Sequence, residues 1–557
     1  MRRQDVQLLA LAKQGDIAAR CEAGRRYLLG ADGFPHHVAT GIDYLTHPNV
    51  RELPQAARII AESLSLEELL QLQQDSALAR AAAAGSALAQ VKLGVWLSVR
   101  HDRADEGARW LEAAAASGHE AAQRALAALK QPGDDDSATV LLRTLTTSGD
   151  LAGPVVAVMA ARHALAERDL ARLASGLRTA LALSPSVTAE LAELIAAAVK
   201  LAEDTAQPLT GLSASAIETG LDMRVSRGDR DAAYALGRAL CGIACGVLAP
   251  ESIADGLNMR KGVALLLRAA DAGREEAWLH LYRMHGDHSL SVANPQMARF
   301  CLEKAALGGQ TEAQRKLGAL MLRASDSLAD SEQAIQWLYE AASAKDVHAK
   351  RLMKSLVLPL EGSDADAAAA IELVRHDDPW LAVRLQLSRQ FGLTKLEALC
   401  VDPAEGMRPW GLVVGKNPFI TQIRLSAARA IPAMSTAAIE TLKRAASFFG
   451  QASRDAMAFE GDLRRRSLRQ RRAFERHGLD EAMFFATATS MTLEALRFGP
   501  KWAFRAKEPL QMALAACASA RAADRLHGDG RSRILASCEP GRSTRSRRPS
   551  SDAHPDR

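Results

Sequence analysis

Arginine is the residue type in this chain whose clustering points most directly to chemistry. The run Arg464-Arg465-Arg466-Ser467-Leu468-Arg469-Gln470-Arg471-Arg472, followed by Arg476, puts seven arginines in thirteen residues. On the helix predicted over 462–476 they would cover most of its circumference. Such a helix could hold nucleic acid, acidic lipid or an acidic protein. The plainer reading is a solvated helix paired with Glu460, Asp462 and Glu475. Apart from Phe474 no aromatic accompanies the arginines, so a stacking platform for single strands gains no support.

Other chemistry-bearing residues fall short of a site. Gly415-Lys416 echoes a phosphate loop, but Asn417-Pro418 follow the lysine and no upstream glycine has the required spacing. His285 and His288 flank Gly286-Asp287, a metal-like spacing. However, His285 falls in the slot where other repeats carry Tyr27, Leu97 and Met321, so packing explains it. Cys241 and Cys245 sit one helical turn apart and read most simply as small apolar residues. His36-His37 has no second ligand cluster nearby, and no HExxH or nucleophile elbow occurs. No metal, cofactor or catalytic residue is expected, and an enzyme is not.

The elements that must carry these residues follow from composition. At 557 residues the chain exceeds one compact core. Aromatics are only 4%, and alanine, the best helix former, is abundant, which argues against a sheet-rich fold. Net charge is +5, too small at this length to demand nucleic acid globally. Seven scattered cysteines with no CxxC suggest free thiols in a reducing compartment. The N-terminal apolar run from Leu8 to Ala12 is too short for a signal peptide, and nothing approaches a membrane span. A soluble cytoplasmic protein is the expectation.

One spacing recurs along the chain: a glycine, then an alanine four residues later. It appears at Gly15/Ala19, Gly85/Ala89, Gly118/Ala122, Gly228/Ala232, Gly273/Ala277, Gly309/Ala313 and, with lysine standing in, Lys345/Ala349. The last three intervals are 45, 36 and 36 residues. Such a period marks an α-solenoid of helix pairs. Helix A carries Ala-x-x-x-Leu-Gly (Ala89…Leu93-Gly94, Ala232…Leu236-Gly237, Ala313…Leu317-Gly318). Helix B carries Trp-x-x-x-Ala-Ala-x-x-Gly (Trp110…Ala114-Ala115…Gly118), with degenerate copies led by Leu265, Cys301 and Trp337. Small residues are expected where A crosses B, the Trp or Leu slot should fill the space between units, and the closing glycine should take a left-handed turn.

These residues resemble the Sel-one-like repeat, a relative of the tetratricopeptide repeat. The match is clear over 85–130 and 228–356 and partial over 12–46, where Thr46-His47-Pro48 replaces the alanines. An eighth unit is expected near Asp378 and Ala382. The fold class expected is all-α: an α-solenoid of stacked antiparallel helix pairs, then a smaller helical region and a disordered tail. The expected domains are partial repeats over 1–130, an irregular helical linker region over 131–214, a repeat block over 215–394, a C-terminal helical region over 395–527 and a disordered basic tail over 528–557. The 45-residue unit should carry an inserted loop around 246–258. Beyond 395, residues 406–418 read as a loop with a short strand, and helices are expected over 420–460, 462–476, 479–496 and 506–526.

The resemblance implies a non-enzymatic, often bacterial, adaptor or scaffold that binds a protein or peptide in its groove. In tetratricopeptide-like folds helix A lines that groove at i, i+3 and i+7. Carried onto this chain, the positions are Asp231, Tyr234, Arg238, Glu276, Arg283, Glu312 and Arg315. Two alternatives stand beside it: a nucleic-acid-associated regulator acting through 462–476, and an enzyme within 395–526. The oligomeric state and the partner's identity are not in the sequence.

Overall fold

The glycine–alanine spacing is the junction between two helices. In the computed structural model, which describes residues 3–100, 102–130, 136–415, 428–451, 460–497 and 506–515, Gly85, Gly118, Gly228, Gly273 and Gly309 take φ of 79 to 90°. That left-handed conformation costs an L side chain roughly 1–2 kcal/mol. In several repeats the next residue caps helix A. Asp16 accepts from the Ala19 N–H at 2.7 Å, Asp229 from Ala232 at 3.1 Å and Asp346 from Ala349 at 2.8 Å. The recurrent alanine is therefore the third helical residue, whose orphan amide the cap satisfies. Lys345 makes the same turn at φ 68° without being glycine.

Helix pairs cross at glycines on both partners. A Cβ on Gly94 of helix Ala87–Val99 would lie 2.8 Å from Leu111 Cγ and 3.0 Å from the Gly107 carbonyl oxygen of helix Ala104–Ala116. Gly24 meets Gly41 in the same way, Gly237 meets Gly262, and Gly318 meets Ala334. In helix B the leucine four residues on closes the crossing: Leu111, Leu266 and Leu338 are fully buried. This corrects the role expected for tryptophan. Trp110 and Trp337 are only half-buried; the leucine that follows each carries the core. Ala269, Ala305 and Ala341 are buried as the crossing requires.

Two compact units result, Met1–Ala298 and Arg299–Arg557. In the first, helices Ser137–Thr147, Gly153–Ala166, Leu170–Leu183 and Ala189–Thr205 continue the antiparallel packing through 136–205. Gly176 there crosses at Ala161. The inserted loop after helix Arg230–Leu240 holds an isolated bridge, Cys245–Leu248, and a 3-10 turn, Pro250–Ser252, before Asn258 caps helix Met259–Asp271.

In the second unit, Thr311–Ala324, Leu328–Ser343 and Val347–Lys354 continue the repeat. Asp378 caps helix Pro379–Phe391, the A helix expected near Asp378 and Ala382. Beyond it, the helical reading of 420–460 is corrected. Three antiparallel strands, β1 (Met407–Arg408), β2 (Gly411–Val414) and β3 (Arg429–Pro432), lie in the order β1-β2-β3, with Leu412 opposite Ile431. Leu412, Val414 and Ile431 pack with Leu385, Phe391 and Leu442. Val413 and Ala430, with Trp410, pack with Leu338, Leu352 and Leu510. β2 and β3 are buried on both faces, so they show none of the polar alternation that announces a strand. Helices follow at Thr436–Gln451, Leu463–His477, Ser490–Arg497 and Lys507–Leu514. The expected helix over 479–496 is instead a 3-10 turn, Glu481–Met483, and the separate helix Ser490–Arg497. The tail at 528–557 and Lys416 lie outside the described residues.

Two buried arginine–carboxylate pairs hold this unit together. Arg384 grips Glu460 (Nη2 to Oε2, 2.9 Å) and donates to the Ala398 and Val401 carbonyls. Arg429 is bidentate to Glu397 at 2.8 and 2.9 Å. Within a dry core such pairs fix geometry; losing one partner is their costly failure.

Candidate functional site

Of the seven positions assigned to the inner face of helix A, five fall in the first unit, and the structure joins four of them. Asp229 caps helix Arg230–Leu240, which sets Asp231, Tyr234 and Arg238 along one side. The guanidinium of Arg238 lies 4.4 Å over the Tyr234 ring, and that of Arg274, from the next turn, lies 5.0 Å from it. Arg274 is also 3.8 Å from Asp231 and 3.3 Å from Glu276. The Tyr234 hydroxyl meets His280 Nε2 at 3.2 Å. Burial, foremost, pushes the Tyr234 phenol above its ordinary range. Asp231 and Glu276 stay exposed; Arg283 is half-buried one turn beyond His280.

Arg238 departs from the expectation of an open groove residue. Its side chain is 11% exposed and ion-paired with Glu203 of helix Ala189–Thr205. Sequence reasoning missed Arg274 and His280, although Arg274 directly follows the turn glycine Gly273 and His280 lies one helical turn after Glu276.

The other two positions fall in the second unit and are corrected more sharply. Arg315 lies on the face expected, two residues after Ala313 as Tyr234 is after Ala232, yet it is 1% exposed. Helix Lys507–Leu514 covers it. Arg315 Nε donates to the Ala513 carbonyl at 2.9 Å, Nη2 to the Ala515 carbonyl at 3.2 Å, and Nη1 pairs with Asp346 at 2.8 Å. Those carbonyls are the orphan acceptors of a helix C-terminus. Arg351, two residues after Ala349, reaches the same helix through Glu508 at 2.7 Å and Met512 Sδ at 3.4 Å. Glu312 is held by Lys316 at 2.9 Å. The signal for this covering helix was absent because it lies almost two hundred residues away in sequence.

The arginine-rich helix does not present arginine on all sides. Arg466 donates to the Leu399 and Gly461 carbonyls and lies 3.4 Å from Glu460. Arg469 reaches the Glu460 carbonyl and lies 3.8 Å from Asp378. Arg464, Arg465, Arg471, Arg472 and Arg476 face outward, Arg476 paired with Asp377 at 2.7 Å. Glu460 is one of the partners expected for these arginines from the sequence; Asp378, from a distant segment, is not.

The remaining candidates resolve into packing. His285 Nδ1 bonds the Val292 carbonyl at 2.8 Å, and His37 caps helix Val38–Leu45. Burial pushes the Cys241 thiol up to about 11 and the Cys245 thiol to about 12, so neither is a ready thiolate. A cavity of about 300 Å³ in the first unit is lined by Leu66, Val91, Lys92, His119, Leu145 and Asp150, among others. Lys92 there donates to the Ala61 and Leu64 carbonyls, both at 2.7 Å, and burial lowers its pKa to about 8. Asp150 is taken up by Arg124. A second pocket, of about 540 Å³, lies beside β1 and is lined by Tyr339, Met407, Arg408, Ile439 and Lys443, among others. Among the described residues, no cluster of three His, Cys, Asp or Glu could hold a metal, and no helix is long and apolar enough to cross a membrane.

No family model and no curated protein matches the chain. Among solved structures it is similar to a protective antigen of uropathogenic Escherichia coli strains displaying an SLR fold. That match has 14% identity and a TM-score of 0.27 over 97% of this chain and 99% of that one. It is also similar to a Sel1 repeat protein from Oxalobacter formigenes, at 21% identity and a TM-score of 0.22 over 63% of this chain and 90% of that one. The residue placements above rest on this chain's own geometry, which is that of stacked antiparallel helix pairs.

Proposed function

We propose that this chain is a non-enzymatic repeat scaffold that binds a protein or peptide segment on the inner face of its A helices. The observation that carries this reading is the seat of helix Lys507–Leu514. In the second unit, two successive A helices already hold a helix, through arginines two residues after the repeat alanine. In the first unit the corresponding face carries Asp231, Arg274 and Glu276 around Tyr234. Its mixed charges suit a polar, charge-complementary segment rather than an apolar one.

The test uses the full chain against a random peptide display library. Selected peptides should lose binding to the Asp231→Asn/Glu276→Gln variant, since both side chains are exposed and neutral amides remove the charges without setting lysines against Arg274. Peptides that bind both proteins equally would remove the first-unit face from this reading. Arg238 is the wrong residue for such a test, because reversing it would set two acids together beside Glu203.

A further inference from the structure

The helix Leu463–His477 is not absorbed by the scaffold reading. Asp462 caps its start, accepting from the Arg465 N–H at 2.9 Å, and Gly478 ends it in the left-handed conformation. One face is fastened to the body. Gln470, Ala473 and Phe474 are buried, and Phe474 lies 5.8 Å from the rings of both Phe484 and Phe485. Arg466 and Arg469 are spent on backbone carbonyls and on Glu460. The outward face is left with Arg464, Arg465, Arg471 and Arg472, whose guanidiniums make no hydrogen bond or ion pair among the described residues.

The spacing is regular. Arg471 and Arg472 follow Arg464 and Arg465 by seven residues, nearly two turns, so the two pairs stack on one line about 10.5 Å apart. Leu468 lies between them; Glu475 is the one acid that the helix itself places on this face, and Glu481 beyond its end, paired with Lys395, also feels the Arg471 charge.

We propose that this face binds the phosphate backbone of a nucleic-acid duplex, two arginine pairs at a time and without reading its bases. Four guanidiniums on a helix fixed at both ends and along one side form a rigid donor array. The planar fork of arginine suits phosphate oxygens in a way an ammonium does not. Single strands would need exposed aromatic rings for stacking, and Phe474 is buried. An anionic membrane would gain little, because Leu468 is the only large apolar side chain on the face.

The experiment titrates the full chain against a DNA duplex of about 20 base pairs, by fluorescence anisotropy, over a series of salt concentrations. Four phosphate contacts predict a slope of log K on log salt of about −3.6, and a loss of about 150-fold in affinity between about 50 and 200 mM salt. Arg464→Glu/Arg465→Glu/Arg471→Glu/Arg472→Glu should abolish binding. The corresponding four-lysine variant should keep most of it, and Arg471→Ala alone should lower the slope by about one. These two milder variants keep the idea testable should the reversed one fold poorly. Three results would overturn it: no binding by the natural chain, an unchanged slope in Arg471→Ala, or tighter binding to phosphatidylserine vesicles or polyglutamate than to the duplex. None of them bears on the peptide selection above, which concerns a different face.

Discussion

Tyr234 and Arg315 hold the same place in two repeats, two residues after the alanine at the start of helix A, and they end in opposite situations. In the first unit the chain supplies Arg238 and Arg274 to the tyrosine ring. The face is finished locally, with its acids left in solvent. In the second unit the position is itself an arginine, and it captures the last carbonyls of a helix brought from far along the chain. Lys92, three residues after Ala89 and so one place further along helix A, gives a related case. It does in the first unit, with an ammonium on Ala61 and Leu64, what Arg315 does in the second with a guanidinium. The inner face of a helix-pair repeat is thus a row of equivalent positions, and the side chain placed there decides whether it stays open, closes on itself or grips a helix end.

The largest effect expected is at Arg315. Arg315→Ala would leave Asp346 with only its cap to the Ala349 N–H, and the Ala513 and Ala515 carbonyls without this donor. Breaking a buried pair on one side costs about 3–5 kcal/mol, and partial exposure of Asp346 places this case near the low end. Hydrogen exchange over 507–514 should accelerate strongly. Arg351→Ala, which removes an exposed pair on the same helix, should cost only about 0–1 kcal/mol. Equal protection in both variants would mean that Lys507–Leu514 is held by its apolar side alone.

Next comes overpacking at the crossings, where the two units should behave alike. Ala269→Trp and Ala305→Trp each force an indole into a fully buried site and should destabilise their own unit by about 1–3 kcal/mol. A large difference between them in thermal unfolding would show that the crossings are not equivalent after all.

Lys92 separates itself from Arg315 by pH. Its folded pKa of about 8 lies below its ordinary value of 10.5, and burial is the cause. The penalty on the charged amine is fully present below pH 8. The unfolded chain binds the extra proton between 8 and 10.5, so this group's contribution to stability rises with pH across that window. Subtracting the alkaline stability profile of Lys92→Met from that of the natural chain should isolate the rise. Arginine does not titrate there, so Arg315→Ala should show no comparable difference. A flat difference profile for Lys92 would contradict the assignment.

Tyr234→Phe asks how much of the first-unit face depends on the hydroxyl. It removes one hydrogen bond to His280 and leaves both guanidiniums on the ring, so about 0.5–1.5 kcal/mol is expected. A loss as large as that in Arg315→Ala would make Tyr234 an anchor of the same kind.

The parts of this architecture legible in the sequence are those set by neighbours in the chain. Gly228, Asp229 and Ala232 announce a turn, a cap and a first helical turn within five residues. The crossing glycines Gly41, Gly107 and Gly262 were equally legible, each four residues before a buried leucine, but tryptophan drew attention from them. β2 and β3 were obscured because four-residue strands buried on both faces look like any short apolar run. Glu460, just ahead of the arginine-rich helix, was a legible partner, but nothing local could reveal that Asp378 meets Arg469, or that helix Lys507–Leu514 fills the face at Arg315. Those facts depend on segments brought together only by folding.

The smallest expected effect has the opposite sign to the rest, and it tests the junction that every repeat shares. Lys345 occupies the turn that glycine makes at Gly309, with φ of 68° against 79°. A lysine held there bears a left-handed strain of roughly 1–2 kcal/mol. Glycine would relieve it but widen the unfolded ensemble, at a cost of about 0.4–1 kcal/mol. Lys345→Gly should therefore stabilise the second unit by up to about 1 kcal/mol, raising its melting temperature by about 2 °C. Gly309→Ala is the converse. No atom lies within 4 Å of where its Cβ would sit, so backbone strain alone decides the outcome and the melting temperature should fall. If Lys345→Gly lowers stability instead, the lysine side chain contributes more to the turn than its backbone strain removes, and this last repeat has replaced the turn rule rather than tolerated a breach of it.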